Sequence, residues 1–272
     1  MGGSPCGVQQ IDGVVWVSQF DAAAVVRLDA STGEVLGTTK GTGGQPCGLA
    51  VGAGSLWTAD YQGGSTTRVD LATGAVVALV PTGNSVYDVA FAEGAAWVSN
   101  FGDDTVARVD AATNDVTRIE VGGGPGGIAW SGGFLWVANS RDGTVSKLDP
   151  ASRTVVDTIE IGGAPVWTAF DGDTVFVTDP QGGQTVTLID SGDGTVLRTT
   201  EVGGRPVDGD VAADGSAWLP DLDGRLLHVS ADGELVGAWD IPLAGPFVLD
   251  VADGAVWVAE WQGTKVVRYD VD

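Results

Sequence analysis

A proline that opens an extended run, followed eleven residues later by tryptophan, recurs along this chain with a period of about forty. The segments PCGVQQIDGVVWVSQF (5–20), PCGLAVGAGSLWTADY (46–61), PGGIAWSGGFLWVANS (125–140) and PFVLDVADGAVWVAEW (246–261) are four copies of it. Three more begin at Val86, Pro165 and Pro206, and the aromatic slot is filled in turn by Trp16, Trp57, Trp97, Trp136, Phe176, Trp218 and Trp257. A period this strict leaves few folds open, because each unit is one small module that cannot bury both its faces alone and must stack on its neighbours.

Each unit holds four short alternating runs separated by turn residues, as in IAW, FLWVAN, TVSKLD and TVVDTIEIG of the fourth copy. A turn before the last run carries D-x-x-T-G at 29–33 and 70–74, and Asn114, Arg153, Gly194 and Gly233 stand at or near the same position. That position calls for a left-handed backbone, which Gly and Asn suit and Arg153 does not. The 43 glycines also argue against long helices. The pattern predicts an all-β chain: one seven-bladed β-propeller over residues 1–272, of four-stranded antiparallel blades starting near 5, 46, 86, 125, 165, 206 and 246. The aromatic slot then forms the core between blades, where truncation to Ala costs about 3–5 kcal/mol. The seventh copy ends after its third run, so the last blade is expected to lack its outer strand, or the chain to be a segment of a longer one.

The 36 acidic against 13 basic residues give a net charge of −23. That field repels nucleic acid and anionic membranes, and no apolar run reaches the roughly 20 residues that span a bilayer. The charge reads either as a solvated surface or as an affinity for cations, and a monomer is expected.

WVSN (97–100), WVAN (136–139) and TVSKLD (144–149) resemble the YVTN-type repeat propellers, and WVAEWQGTKVVRYD (257–270) is similar to the last blades of the virginiamycin B lyase family. That family is a seven-bladed propeller that opens a cyclic depsipeptide by elimination, with a His after the blade-opening Pro, a Glu closing the second strand, and Mg²⁺. Carried onto this chain, the resemblance assigns the Glu to Glu260, but the His slot holds Phe247. The only histidine, His228, occupies a third-strand slot filled elsewhere by Arg27, Arg68, Arg108, Lys147 and Arg268, and no nucleophile motif accompanies it.

Departures from the repeat are where function is to be sought. Gln19, Asp60, Asn100, Asn139, Asp179, Asp221 and Glu260 close the second strands, and form either hydrogen bonds to turn backbone or a polar ring facing a ligand. Where copies two to five carry Ala after the blade opening (Ala50, Ala90, Ala129, Ala169), copies six and seven carry Asp210 and Asp250, with Asp88 and Asp208 nearby in their own copies. Inner strands surround the axis, so these acids are expected to converge there, as a water-filled acidic channel or, with Glu260, as ligands to Ca²⁺ or Mg²⁺. Phe20, Tyr61, Phe101 and Trp261 follow the polar ring and Tyr87, Trp167 and Phe247 stand at strand starts, as a ligand wall or as packing between loops.

Cys6 and Cys47 occupy equivalent positions in adjacent blades. A disulfide is feasible there and would favour an extracellular or cell-envelope location; unpaired buried thiols, compatible with the cytoplasm, are the alternative. The sequence is best read as a non-catalytic recognition or scaffold domain binding a small molecule, peptide or protein at an acidic, aromatic rim, with a purely structural scaffold as a further reading. The alternative is a lyase or hydrolase in which a metal held by Asp208, Asp210, Asp250 or Glu260 activates water in place of the missing His.

Overall fold

The computed structural model describes residues 2–271, the side chain of Asp171 excepted. The alternating runs form seven antiparallel sheets, each in simple sequential strand order: six have four strands, and the seventh, from Pro246–Ala252 through Val266–Asp270, has three. The inner strands of successive blades lie side by side around an axis, and that of blade seven returns to Pro5–Ile11 of blade one. The chain is a seven-bladed propeller.

Each blade interface has its own apolar cluster, and the aromatic of one blade packs on the next. Trp57 sits with Val89, Ala96 and Val98, Trp97 with Ile128, Leu135 and Val137, and Trp257 with Val8, Val15 and Val17 across the closure. Trp57, Trp97 and Trp136 are fully buried. Cross-strand register places a cation over five of these rings: Trp16 opposite Arg27, Trp57 opposite Arg68, Trp97 opposite Arg108, Trp136 opposite Lys147 and Trp257 opposite Arg268. The cationic groups lie 5.1–5.9 Å from the ring centroids, within cation–π range. In blade six, His228 takes this place, stacked on Trp218 with centroids 4.2 Å apart. It is therefore a member of a structural series and lies on the flank of the blade, where burial lowers its pKa.

The turns before the outer strands are left-handed where the sequence requires it, at Gly33, Gly74, Asn114, Gly194 and Gly233; Arg153 adopts the same conformation at φ 60° without the relief that glycine brings.

Two of the inner strands are shortened at their starts. The inner strand of blade five begins at Trp167, and that of blade six is reduced to Asp210–Val211, with Pro206 forming only an isolated bridge to Asp221. In PVDGDVA the carboxylates of Asp208 and Asp210 take N–H groups of blade seven, Leu249 and Val251, at 2.6 and 2.8 Å. The segment is thus held partly by side chains rather than by a full ladder.

Candidate functional site

At one end of the axis the rings of Phe20, Tyr61, Tyr87, Trp167, Phe247 and Trp261 line a cup of about 250 Å³, completed by Cys6, Cys47, Gly48, Val207 and Val248. Blades one, two and seven supply a continuous run of ring contacts. Phe20 meets Trp261 edge-on with centroids 4.7 Å apart, Trp261 meets Phe247 at 5.0 Å, and Phe20 faces Tyr61 at 6.4 Å. Trp167 is fixed by its indole N–H, which donates to the carbonyl of Gly209 in blade six at 3.0 Å. Phe101 stands outside the cup: it stacks on Tyr87 at 6.0 Å and carries the guanidinium of Arg141 on its ring. The cup wall also contains a disulfide, since Cys6 and Cys47 are bonded, with Cα atoms 4.7 Å apart.

Gly48, Trp167 and Val248 also line the axial channel, which has a volume of about 320 Å³ and holds Asp88, Asp208, Asp210 and Asp250. The four acids converge on the axis, and each latches its blade to the next. Asp88 accepts from Ile128 N at 3.0 Å, Asp208 from Leu249 N and Asp210 from Val251 N. Asp250 closes the ring, taking Gln9 Nε2 and Gln10 N at 2.8 Å each. Three of the four thus grip the two interfaces of the three-stranded blade.

Burial leaves these groups far from their ordinary ionisation. It pushes Asp88 up to about 7. Burial first and the charge of Asp210 second raise Asp250 to about 7. Asp208 is raised strongly, by burial and then by the charges of Asp88 and Asp210, against the lowering effect of its backbone hydrogen bonds; Asp210 is raised by burial as well. The Tyr87 phenol is raised too, by burial and by Asp88 and Asp208.

The polar ring is buried, and its side chains are bonded either to loops between blades or to strands and turns of their own blade. Gln19 accepts from Gly3 N, Asp221 from Arg205 N and Asp223 N, Asp179 from Gln181 N and Gly182 N, and Glu260 from Ala244 N. Asn100 donates to Thr82 O and Asn139 to Thr144 and Ser146. Asp60 receives the hydroxyls of Thr58, Ser65 and Thr67, yet burial still raises it to about 6. Loop glycines press directly on the ring: a Cβ at Gly43, Gly83, Gly122, Gly163 or Gly204 would overlap the side chain of Asp60, Asn100, Asn139, Asp179 or Asp221 respectively. These residues shape the rim from below, and none of them lines the cup or the channel.

Glu260 is held beneath its loop, and is absent from the channel wall where the aspartates meet. Among the described residues no group of three or more His, Cys, Asp or Glu side chains is placed to share a metal ion. Each of the converging acids spends at least one oxygen on an N–H group of a neighbouring blade. Sequence reasoning passed over Val207, Val248 and Gly48 as cup residues, because an apolar or Gly residue at a strand start carries no signal of its own.

No family model matches this chain and no curated protein matches it, so the YVTN-type and lyase-like resemblance rests on the repeat residues alone. Solved structures do match over almost the whole length. Kuenenia stuttgartiensis hydrazine synthase aligns with a TM-score of 0.88 at 17% identity, covering 98% of this chain and 96% of that one. The Cps50 (Swd1) β-propeller domain of Myceliophteria thermophila gives 0.84 at 15% identity over 100% and 98%. The WD40 propeller domain of Doa1 gives 0.82 at 14% over 98% and 92%. At these identities the likeness shows the fold and nothing of the chemistry.

Proposed function

We propose that this protein is a non-catalytic recognition domain whose aromatic cup binds a small ligand. The observation that carries the reading is the convergence of six aromatic rings from five blades on one concave site, when the packing between blades is already supplied by a separate set of aromatics. Large rings that line a cavity, beside a few polar groups, are the usual makings of a small-molecule site. The disulfide stiffens the wall between blades one and two and is consistent with an oxidising compartment. Nothing in the cup resembles a nucleophile with its base: its polar side-chain groups are the phenols of Tyr61 and Tyr87, the indole N–H groups of Trp167 and Trp261, and the bridged sulfurs.

The test is an NMR screen of small organic fragments against the protein and against a Trp261→Ala, Phe247→Ala variant. Fragments that bind the parent and are lost in the variant support the reading. Binding that survives removal of both rings would place the ligand elsewhere and end it.

A further inference from the structure

Four carboxylates line the channel beneath the cup, while neither lining includes a Lys, Arg or His. The ion pairs of the described residues lie elsewhere: Asp104, Asp110, Asp221, Asp223, Glu234 and Asp270 are the acids that meet a cation. One atom is singled out. Asp208 is 1% exposed, its Oδ2 accepts from Leu249 N, and its Oδ1 is buried in the channel wall with no hydrogen-bond donor. Burial favours the protonated form of Asp208, and a positive charge placed beside it would favour release of that proton to solvent and pair with the carboxylate left behind.

The cup and the carboxylates are contiguous. Val207 lines the cup and Asp208 the channel, Trp167 and Val248 line both, and the Tyr87 phenol of the cup is under the field of both Asp88 and Asp208. Anions are repelled by this field and by the net charge of −23. A sugar would need convergent polar side chains, and the cup offers two phenols and two indole N–H groups, that of Trp167 already spent on Gly209 O. A neutral apolar ligand would fill the cup and leave Asp208 as it is. Metal ions are poorly served, because the carboxylates are spread over three blades and no three form one donor set. A diffuse organic charge suits both halves: aromatic faces attract it and contact its methyl or methylene groups, and the carboxylates need only lie nearby.

Resting on the reading of the cup as a ligand site, we infer that its ligand is a small organic cation, an alkyl- or methyl-ammonium compound whose head group sits among Tyr87, Trp167 and Trp261 and is neutralised by Asp208.

Titration calorimetry with choline and with its uncharged isostere 3,3-dimethyl-1-butanol tests this, on the parent and on Asp208→Asn. Asn keeps an oxygen for Leu249 N–H, so the latch survives, and an unchanged far-ultraviolet spectrum and urea midpoint at acid pH verify the fold. The expected result is choline binding at least tenfold tighter than the isostere in the parent, with that preference cut at least fivefold in the variant. Equal binding of the two probes overturns the cation inference while leaving the cup as a ligand site. A choline preference that Asp208→Asn does not reduce overturns the assignment to Asp208. Binding of neither probe overturns the inference, and the fragment screen then decides separately whether the cup binds anything.

Discussion

Asp88 allows the energetics of the axis to be tested without a ligand. It is 2% exposed, its Oδ2 accepts from Ile128 N in the next blade, and burial lifts its pKa from 3.8 to about 7. Each tenfold change in proton affinity is worth about 1.4 kcal/mol, so holding this carboxylate ionised costs the folded state up to about 4 kcal/mol, less where channel water screens it. The raised value means that the folded protein binds this proton more tightly than the unfolded chain does. The penalty is therefore absent below about pH 4, grows as the pH rises through the interval up to about 7, and is complete above it. Asparagine has the same shape, keeps an oxygen for Ile128 N, and never ionises. Asp88→Asn is thus expected to match the parent at about pH 4 and to exceed it by about 1–4 kcal/mol at about pH 8.5, read from urea midpoints at the two pH values. For a chain of this size that gain raises the melting temperature by roughly 2–10 °C. A variant destabilised equally at both pH values would show that the hydrogen bond, rather than the buried charge, dominates, and would refute the reasoning.

Two further predictions concern the scaffold. Gly83→Ala drives a Cβ into the buried amide of Asn100 and should cost about 1–3 kcal/mol; adding Asn100→Ala should recover part of that, whereas additive losses in the double-mutant cycle would mean that the two do not touch. The Cys6–Cys47 bridge closes a separation of 41 residues, for which chain entropy gives about 4 kcal/mol, so reductant should lower the urea midpoint of the parent and leave a Cys6→Ser, Cys47→Ser variant unmoved.

Much of this molecule is legible in its sequence because the repeat is local. Strand alternation, left-handed turns and the Trp slot each declare themselves within about forty residues, and the cation opposite five of the six Trp residues is visible as a column of Arg and Lys. The aromatic cup was foreseeable in part, since strand starts and rim positions of a propeller meet at one end of the axis; Phe101 fell outside because it turns toward Tyr87 and Arg141. What stayed hidden depends on contacts between blades. Asp250 finds its partners 240 and 241 residues away, at Gln10 and Gln9, and no spacing rule relates them. The polar ring has the composition of a binding rim, yet its side chains lie under loop glycines, and that becomes visible only when the loops are placed over them. The same distance effect hides the break in PVDGDVA, where acids that would be costly in a lone strand are held by the N–H groups of the following blade.

A crystal structure of the protein grown with choline bears most directly on recognition at the aromatic end of the axis. The account predicts density for the trimethylammonium group between Tyr87, Trp167 and Trp261, on the side of the cup nearest Asp208. Choline bound on the outer strands, or a cup filled only by ordered water at saturating choline, would contradict it.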